Sequence, residues 1–138
     1  HCYHVLEHVN NPQQVFVEFK RILSKDGLIF IGFPNRLRLT PMYLKSHENL
    51  SIAKMITKNL RDYKKKITGK FKNEYGAHAG FAEGEFVDIA QQYFGTVKSF
   101  RKDYIKLIYP SYRTLIDFAA FLKADNYFFP SNYYILRK

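Results

Sequence analysis

The 138-residue chain is short of the features that brace secreted proteins or anchor membrane-spanning ones. Its one cysteine, Cys2, cannot form an intramolecular disulfide, and beside an apolar strand end it reads as a small buried hydrophobe. There is no basic-then-apolar leader and no apolar run of spanning length, so a reducing cytoplasm is the expected setting. The seven glycines are scattered, and no Gly-x-Gly occurs anywhere. Acidic residues are also few: 12 Asp and Glu against 22 Lys and Arg give a net charge of +10, a balance that favours polyanions such as nucleic acid or an anionic lipid surface. The abundance of Lys, Tyr, Phe and Asn is equally compatible with a biased genome.

What is present is one domain's worth of apolar residues, 46% of the chain and 17% aromatic, enough to bury a core over residues 1–138. His1 in place of Met, followed by the strand-like Cys2 and Tyr3, predicts a fragment whose preceding part mattered to function. The most concentrated polar chemistry follows at once, in His4-Val5-Leu6-Glu7-His8-Val9. Asn11 and Pro12 then predict a helix start, Asn11 as cap and Pro12 in the first turn. Val15, Phe16, Phe19, Ile22 and Leu23 supply one apolar stripe. Ser24-Lys25-Asp26-Gly27 ends that helix, with Gly27 expected in the left-handed region. Leu28 to Phe33 is an unbroken apolar run of the kind covered on both faces in a parallel sheet. Strand end, helix, turn and buried strand make the second half of a right-handed βαβ unit, which places His4–His8 and Pro34-Asn35 at the carboxyl edge where such sheets bind ligands.

Residues 36–46 read as irregular and basic, and a helix is expected from about Glu48 to Ile67. Ile52, Ile56, Leu60, Tyr63 and Ile67 form its apolar stripe, and Lys54, Lys58, Arg61 and Lys64 to Lys66 crowd the rest. This is a solvated lid helix or, through the basic stretch 54–72, a face for RNA or anionic lipid. Residues 73–80, with His78, read as a loop returning to the sheet. Further on, the pattern predicts a helix over 83–94 closed by Gly95, a strand over 97–105, a helix over 110–123 using Leu115, Ile116, Ala119 and Leu122, and a closing strand from Asn132 to Arg137.

The succession His4-Val5-Leu6-Glu7-His8-Val9, Asn11-Pro12, Glu18-Phe19-Lys20-Arg21-Ile22-Leu23, Lys25-Asp26-Gly27 and an apolar strand into Pro34-Asn35 resembles class I S-adenosylmethionine-dependent methyltransferases. That family has a "vLEHv-x-dP" segment after its fourth strand, an "E-x-x-R-v-L-k-p-G-G" helix and turn, and a fifth strand ending in Pro-Asn. Lys25-Asp26-Gly27-Leu28 departs from the double glycine. His78-Ala79-Gly80-Phe81 with Glu85-Phe86 is similar to the family's segment leading into the helix before strand six, and Tyr133 to Arg137 fits its antiparallel seventh strand. The resemblance implies an α/β fold, the C-terminal half of a Rossmann-like sheet (end of strand 4, then 5, 7 and 6 in space). Residues 36–80 are then a helical lid inserted on the acceptor side.

The activity it implies is methyl transfer from S-adenosylmethionine to an O, N or C acceptor that the sequence does not identify. His4, Glu7 and His8 would be catalytic, Asn35 and His78 substrate-binding, and Tyr3 and His4 would touch the cofactor. The family's glycine-rich cradle for the cofactor and its ribose-binding acid are not in this sequence, so the chain alone is expected to be inactive. Two other readings of the polar segment stand beside this one. Small-RNA and quinone O-methyltransferases carry Glu-x-x-Glu-His here and bind a divalent ion. By that likeness Glu7, His8 and His78, with His4 in the place of the first Glu, would favour Zn²⁺, Mn²⁺ or Fe²⁺. Alternatively His4-x-x-Glu7-His8 is the inverted zinc-hydrolase motif, which needs both histidines on one helical face. A chain of basic helices binding RNA or lipid without catalysis is the competing reading from another class, and a bare sheet edge predicts a homodimer.

Overall fold

The computed structural model describes residues 1–40, 51–75 and 78–138. Among them a four-stranded mixed sheet forms, from β1 (Cys2–Tyr3), β2 (Leu28–Pro34), β3 (Thr96–Ser99) and β4 (Ser131–Arg137), in the order β1-β2-β4-β3. β1 runs parallel to β2, with Cys2 beside Ile31 and Tyr3 beside Gly32. β4 runs antiparallel to β2 over seven residue pairs, from Leu28 with Arg137 to Pro34 with Ser131, and antiparallel to β3 on its other side.

The described residues also form six helices: α1 (Pro12–Ile22), α2 (Ile52–Ile67), α3 (Glu83–Ala90), α4 (Arg101–Ile108), α5 (Arg113–Phe121) and the short α6 (Asp125–Phe128). None of the described helices is long and apolar enough to cross a membrane. The α1 start is as its local chemistry dictates: the Asn11 side chain accepts from the amides of Gln13 and Gln14, and Pro12 fills the first turn.

Side-chain alternation along β2 divides the core in two. Ile29, Ile31 and Phe33 join Tyr134 and Leu136 under Phe16 of α1 and Phe86 and Ala90 of α3. Phe30 joins Tyr133 on the opposite face, under Ile105 of α4 and Ile116 of α5. Gly32 keeps that second face tight: a Cβ there would meet the Tyr3 ring at 2.6 Å and the Tyr133 ring at 3.0 Å, and its absence lets the two rings stack 6.1 Å apart.

Several expectations are corrected. The strand expected over 97–105 stops at Ser99, because Arg101 turns inward and α4 begins there. The buried Arg101 guanidinium donates to Asn132 Oδ1 at 2.8 Å and pairs with Asp125 and Glu83, partners distant in sequence that outweigh local strand propensity. Gly27 is not left-handed. Its lack of a Cβ instead makes room for the Leu23 side chain, which would stand 2.6 Å away. Ile22, Leu115 and Leu122, expected in the core, face solvent. The expected Glu48–Ile67 helix is described as Ile52–Ile67, capped by Ser51, and its first residues lie outside the described ones, as do 41–46 of the preceding irregular stretch.

The α2 helix is also turned differently from expectation. Ile56, Leu60 and Ile67 are 54%, 62% and 87% exposed, while Asp62, Tyr63 and Lys66 face the body. The reason lies in the polar backbone it covers. Tyr63 Oη donates to the Leu39 carbonyl, Lys66 Nζ donates to the Arg38 carbonyl, and Asp62 lies 3.8 Å from the buried Arg38 guanidinium. The Lys66 ammonium also sits 5.0 Å from the Phe71 ring centre.

Burial, aided by the Arg38 charge and only partly opposed by Asp62, pulls the Lys66 pKa down from 10.5 to about 8. Between those two values the unfolded chain holds a proton that the folded chain has released, so this group makes stability rise with pH across that window. Below it the burden of the buried charge is present in full. Buried Tyr133 and Tyr134, whose phenols burial pushes up, act oppositely above their unfolded pKa of 10. Their effect cancels in a comparison with Lys66→Met. Urea unfolding across pH 8 to 10.5 should therefore show wild type gaining stability relative to Lys66→Met, and a flat difference would disprove the buried ammonium.

Candidate functional site

The carboxyl end of β1 delivers three polar side chains into a short space. His4 takes a left-handed backbone, φ 52°, with its amide donating to the Gly32 carbonyl at 2.8 Å, so the chain turns sharply off the sheet. A non-glycine residue there is strained, at about 1–3 kcal/mol. Leu6–His8 then form a single 3-10 turn, closed by the His8 amide on the Val5 carbonyl. Leu6 anchors the turn in the core, and Glu7 is drawn in behind it with its side chain fully buried.

The Glu7 carboxylate has two different surroundings. Its Oε1 meets His4 Nδ1 at 2.9 Å, and its Oε2 is buried with no hydrogen-bond partner among the described residues. A buried carboxylate oxygen without a donor is costly, which makes it the most informative atom of the site. Beside it stand His8 and His78, their rings edge to face at 4.6 Å. One ligand atom from each of Glu7, His8 and His78 can be chosen so that all three lie within 4.8 Å of one another.

His78 is a second strained histidine, at φ 45°. Its position follows from the return of the 36–80 excursion to the sheet. Asn35 and Phe81 form an isolated parallel bridge, and left-handed Gly80 lies so close to Pro34 that a Cβ would collide with the Pro34 carbonyl. Asn73 braces the return by accepting from the Gly80 amide at 2.9 Å and donating to its carbonyl at 3.0 Å.

A cleft of about 920 Å³ opens against this group, lined by Glu7 and His8, the start of α1, Arg36, Asn73, Phe81 and Glu85. Arg36 is fixed in its wall by Glu85 at 2.8 Å and the Gly80 carbonyl at 2.8 Å, with its guanidinium over the Phe81 ring. Arg36, Asn73 and Glu85 were not foreseen as site residues. The only signal for Arg36 was its place directly after Pro34-Asn35.

The sequence-predicted residues thus separate into groups. His4 and Glu7 pair, and Glu7, His8 and His78 cluster. The ligand-like set excludes His4, which holds the far oxygen of Glu7 instead. Tyr3 stands edge-on to the His4 ring at 4.2 Å, with its hydroxyl 3.4 Å from that of Tyr133. Cys2 is buried, as expected, and burial followed by the Glu7 charge raises its thiol pKa. The inverted zinc-hydrolase geometry is absent, because left-handed His4 and a three-residue turn give no helix to carry both histidines on one face.

Asn35 lies apart from the cluster. It is 1% exposed, and its amide donates to the carbonyls of Asn126 at 2.7 Å and Phe129 at 3.0 Å while its oxygen accepts from the Leu37 amide. A substrate could use those donors only by breaking one buried and one part-buried bond.

Residues 1–31, which include β1, the His4–His8 segment, α1 and most of β2, match a family model described as a methyltransferase domain. Comparisons with curated proteins and with solved structures gave no significant match. In the matched segment the polar loop follows a strand that runs parallel to its neighbour, and the cleft lies beside that loop.

The geometry of Asn35 gives a direct test. Asn35→Ala and Asn35→Asp should each lower unfolding free energy by about 3 kcal/mol, since both leave the Asn126 and Phe129 carbonyls without donors in the interior. Urea denaturation measures this, and a change below about 1 kcal/mol would return Asn35 to the role of a substrate contact.

Proposed function

We propose that this chain forms the acceptor-side wall of an S-adenosylmethionine-dependent methyltransferase acting on a hydroxyl group. The observation that carries the reading is the buried, half-partnered Glu7 carboxylate clustered with His8 and His78, where Glu7 and His8 line the cleft and belong to the segment that matches a methyltransferase domain. The strand order β1-β2-β4-β3 agrees with the end of strand 4 followed by strands 5, 7 and 6 of that fold.

The cofactor supplies an electrophilic methyl on a sulfonium. The residues of this chain fit one side of such a group: Tyr3 is half exposed at the end of β1, and His4, one residue on, keeps part of its ring open to solvent. No glycine-rich cradle is present to fit its other side. What the chain contributes is placement of the acceptor. The cleft holds the substrate between α1 and the returning 36–80 excursion, and orientation of this kind is the larger part of methyl-transfer catalysis. An alcohol must also lose its proton as it is alkylated, and the imidazoles of His8 and His78, both solvent-accessible, are groups of the type that takes one.

A divalent ion at the same residues would take the place of these imidazoles as bases, since a nitrogen that ligates a metal cannot accept the proton. Two imidazoles and one carboxylate oxygen make a donor set suited to Zn²⁺, Mn²⁺ or Fe²⁺, and the empty valence on Glu7 Oε2 fits a cation. Glu7, His8 and His78 would hold the ion, His4 would orient the carboxylate through its other oxygen, and the ion would lower the pKa of an acceptor hydroxyl.

Metal content after dialysis against Zn²⁺ or Mn²⁺, read by elemental analysis, tests the cluster. His8→Ala and His78→Ala should lose the ion, and His4→Ala should weaken it by about 10- to 100-fold. No bound metal under saturating Zn²⁺ and Mn²⁺ would remove the ion from the reading. Transfer of labelled methyl to hydroxylated acceptors, assayed with the protein that carries this chain, tests the rest. His8→Ala should reduce that transfer by at least about 100-fold, and unchanged turnover would overturn His8 as part of the site.

A further inference from the structure

The structure assigns α2 as a surface that docks on anionic lipid bilayers. On a helical projection, Ile56, Leu60 and Ile67 fall within about 40° of one another, and all three point to solvent. On one side of this aliphatic strip Lys64 follows about 40° beyond Leu60, and Arg61 and Lys54 lie about 100° and 120° beyond it, all three exposed. The single acidic residue of the helix, Asp62, lies on the opposite, inward side against Arg38. The outward half of α2 therefore offers aliphatic side chains and positive charge with no carboxylate among its described side chains.

Most surface helices show the reverse arrangement, apolar residues inward. Here the inward half is held by polar anchors to the backbone carbonyls of Arg38 and Leu39, which leaves the aliphatic strip without a covering element among the described residues. A strip of large aliphatics bordered by Lys and Arg is what an interfacial helix presents. The aliphatic chains enter the acyl boundary and the cations meet headgroup phosphates. A shallow depression of about 270 Å³ between Lys54, Thr57, Lys58 and Arg61 has room for such a phosphate. Ile56, Leu60 and Ile67 neither stack on bases nor bond to them, so the same surface suits nucleic acid poorly.

The chain has no tryptophan, which makes Leu60→Trp a unique reporter at an already exposed position. Its emission should shift to the blue on mixing with phosphatidylcholine vesicles that contain phosphatidylserine, and stay unchanged with phosphatidylcholine alone. In co-sedimentation with the same vesicles, Ile56→Ser with Leu60→Ser should weaken binding at least about tenfold, and Lys54→Glu or Arg61→Glu at least about fivefold each. Circular dichroism checks that these exposed substitutions leave the fold intact. Absence of the blue shift would overturn the assignment. So would vesicle binding that ignores the two serines, or binding to single-stranded RNA that is tighter than to the vesicles and equally indifferent to them. None of these readouts involves methyl transfer, so the lipid surface and the proposed activity succeed or fail separately.

Discussion

At the carboxyl end of β2 the fold has to bury polar backbone from segments that lie far apart in sequence, and it does so through two asparagines and an arginine. Asn35 meets the carbonyls of Asn126 and Phe129, and Asn132 in β4 reaches the Phe81 carbonyl. Arg101 ties Asn132 to Asp125, Asn126 and Glu83. This polar seam joins β2, β4, α3, α4 and α6 at one place. Buried groups of this kind contribute little net stability when satisfied and cost several kcal/mol when one partner is lost, so the seam specifies an arrangement more than it strengthens one.

The candidate site depends on that seam. The Phe81 carbonyl accepts both from Asn132 and from the Arg36 amide, and the Phe81 amide donates to Pro34. Gly80 is thereby pressed against Pro34, and His78, two residues earlier, is brought into ring contact with His8. Among the described residues, two of the three non-glycine residues with positive φ are the site histidines His4 and His78. The strain of both is sustained by structure around them, His4 by the β1–β2 pairing and His78 by the Asn73 brace.

Features whose causes are local were legible from the sequence. The Asn11-Pro12 cap, the apolar run of β2 and the β-rich closing strand each rest on residues adjacent in the chain, and the structure has them in place. The grouping of Glu7 with His8 was equally local. What sequence patterns could not reach were effects whose partners lie far away. α4 replaces a strand because Arg101 finds its counter-charges 18 and 24 residues off. The α2 strip faces outward because the carbonyls of Arg38 and Leu39 attract Lys66 and Tyr63, a preference no amphipathic pattern encodes. Asn35, read as a substrate contact from its place after a strand, is committed to carbonyls 91 and 94 residues on.

The closing bridge between Asn35 and Phe81 means that the 36–80 excursion leaves and re-enters the body at a single point. With its two ends pinned together, changes of length inside it add little closure entropy, about 0.6 kcal/mol for a doubling. The excursion is therefore exchangeable as a cassette. Its residues can diverge while the His4–His8 loop and the sheet beneath keep their geometry, so that one scaffold can carry different excursions by grafting rather than rebuilding.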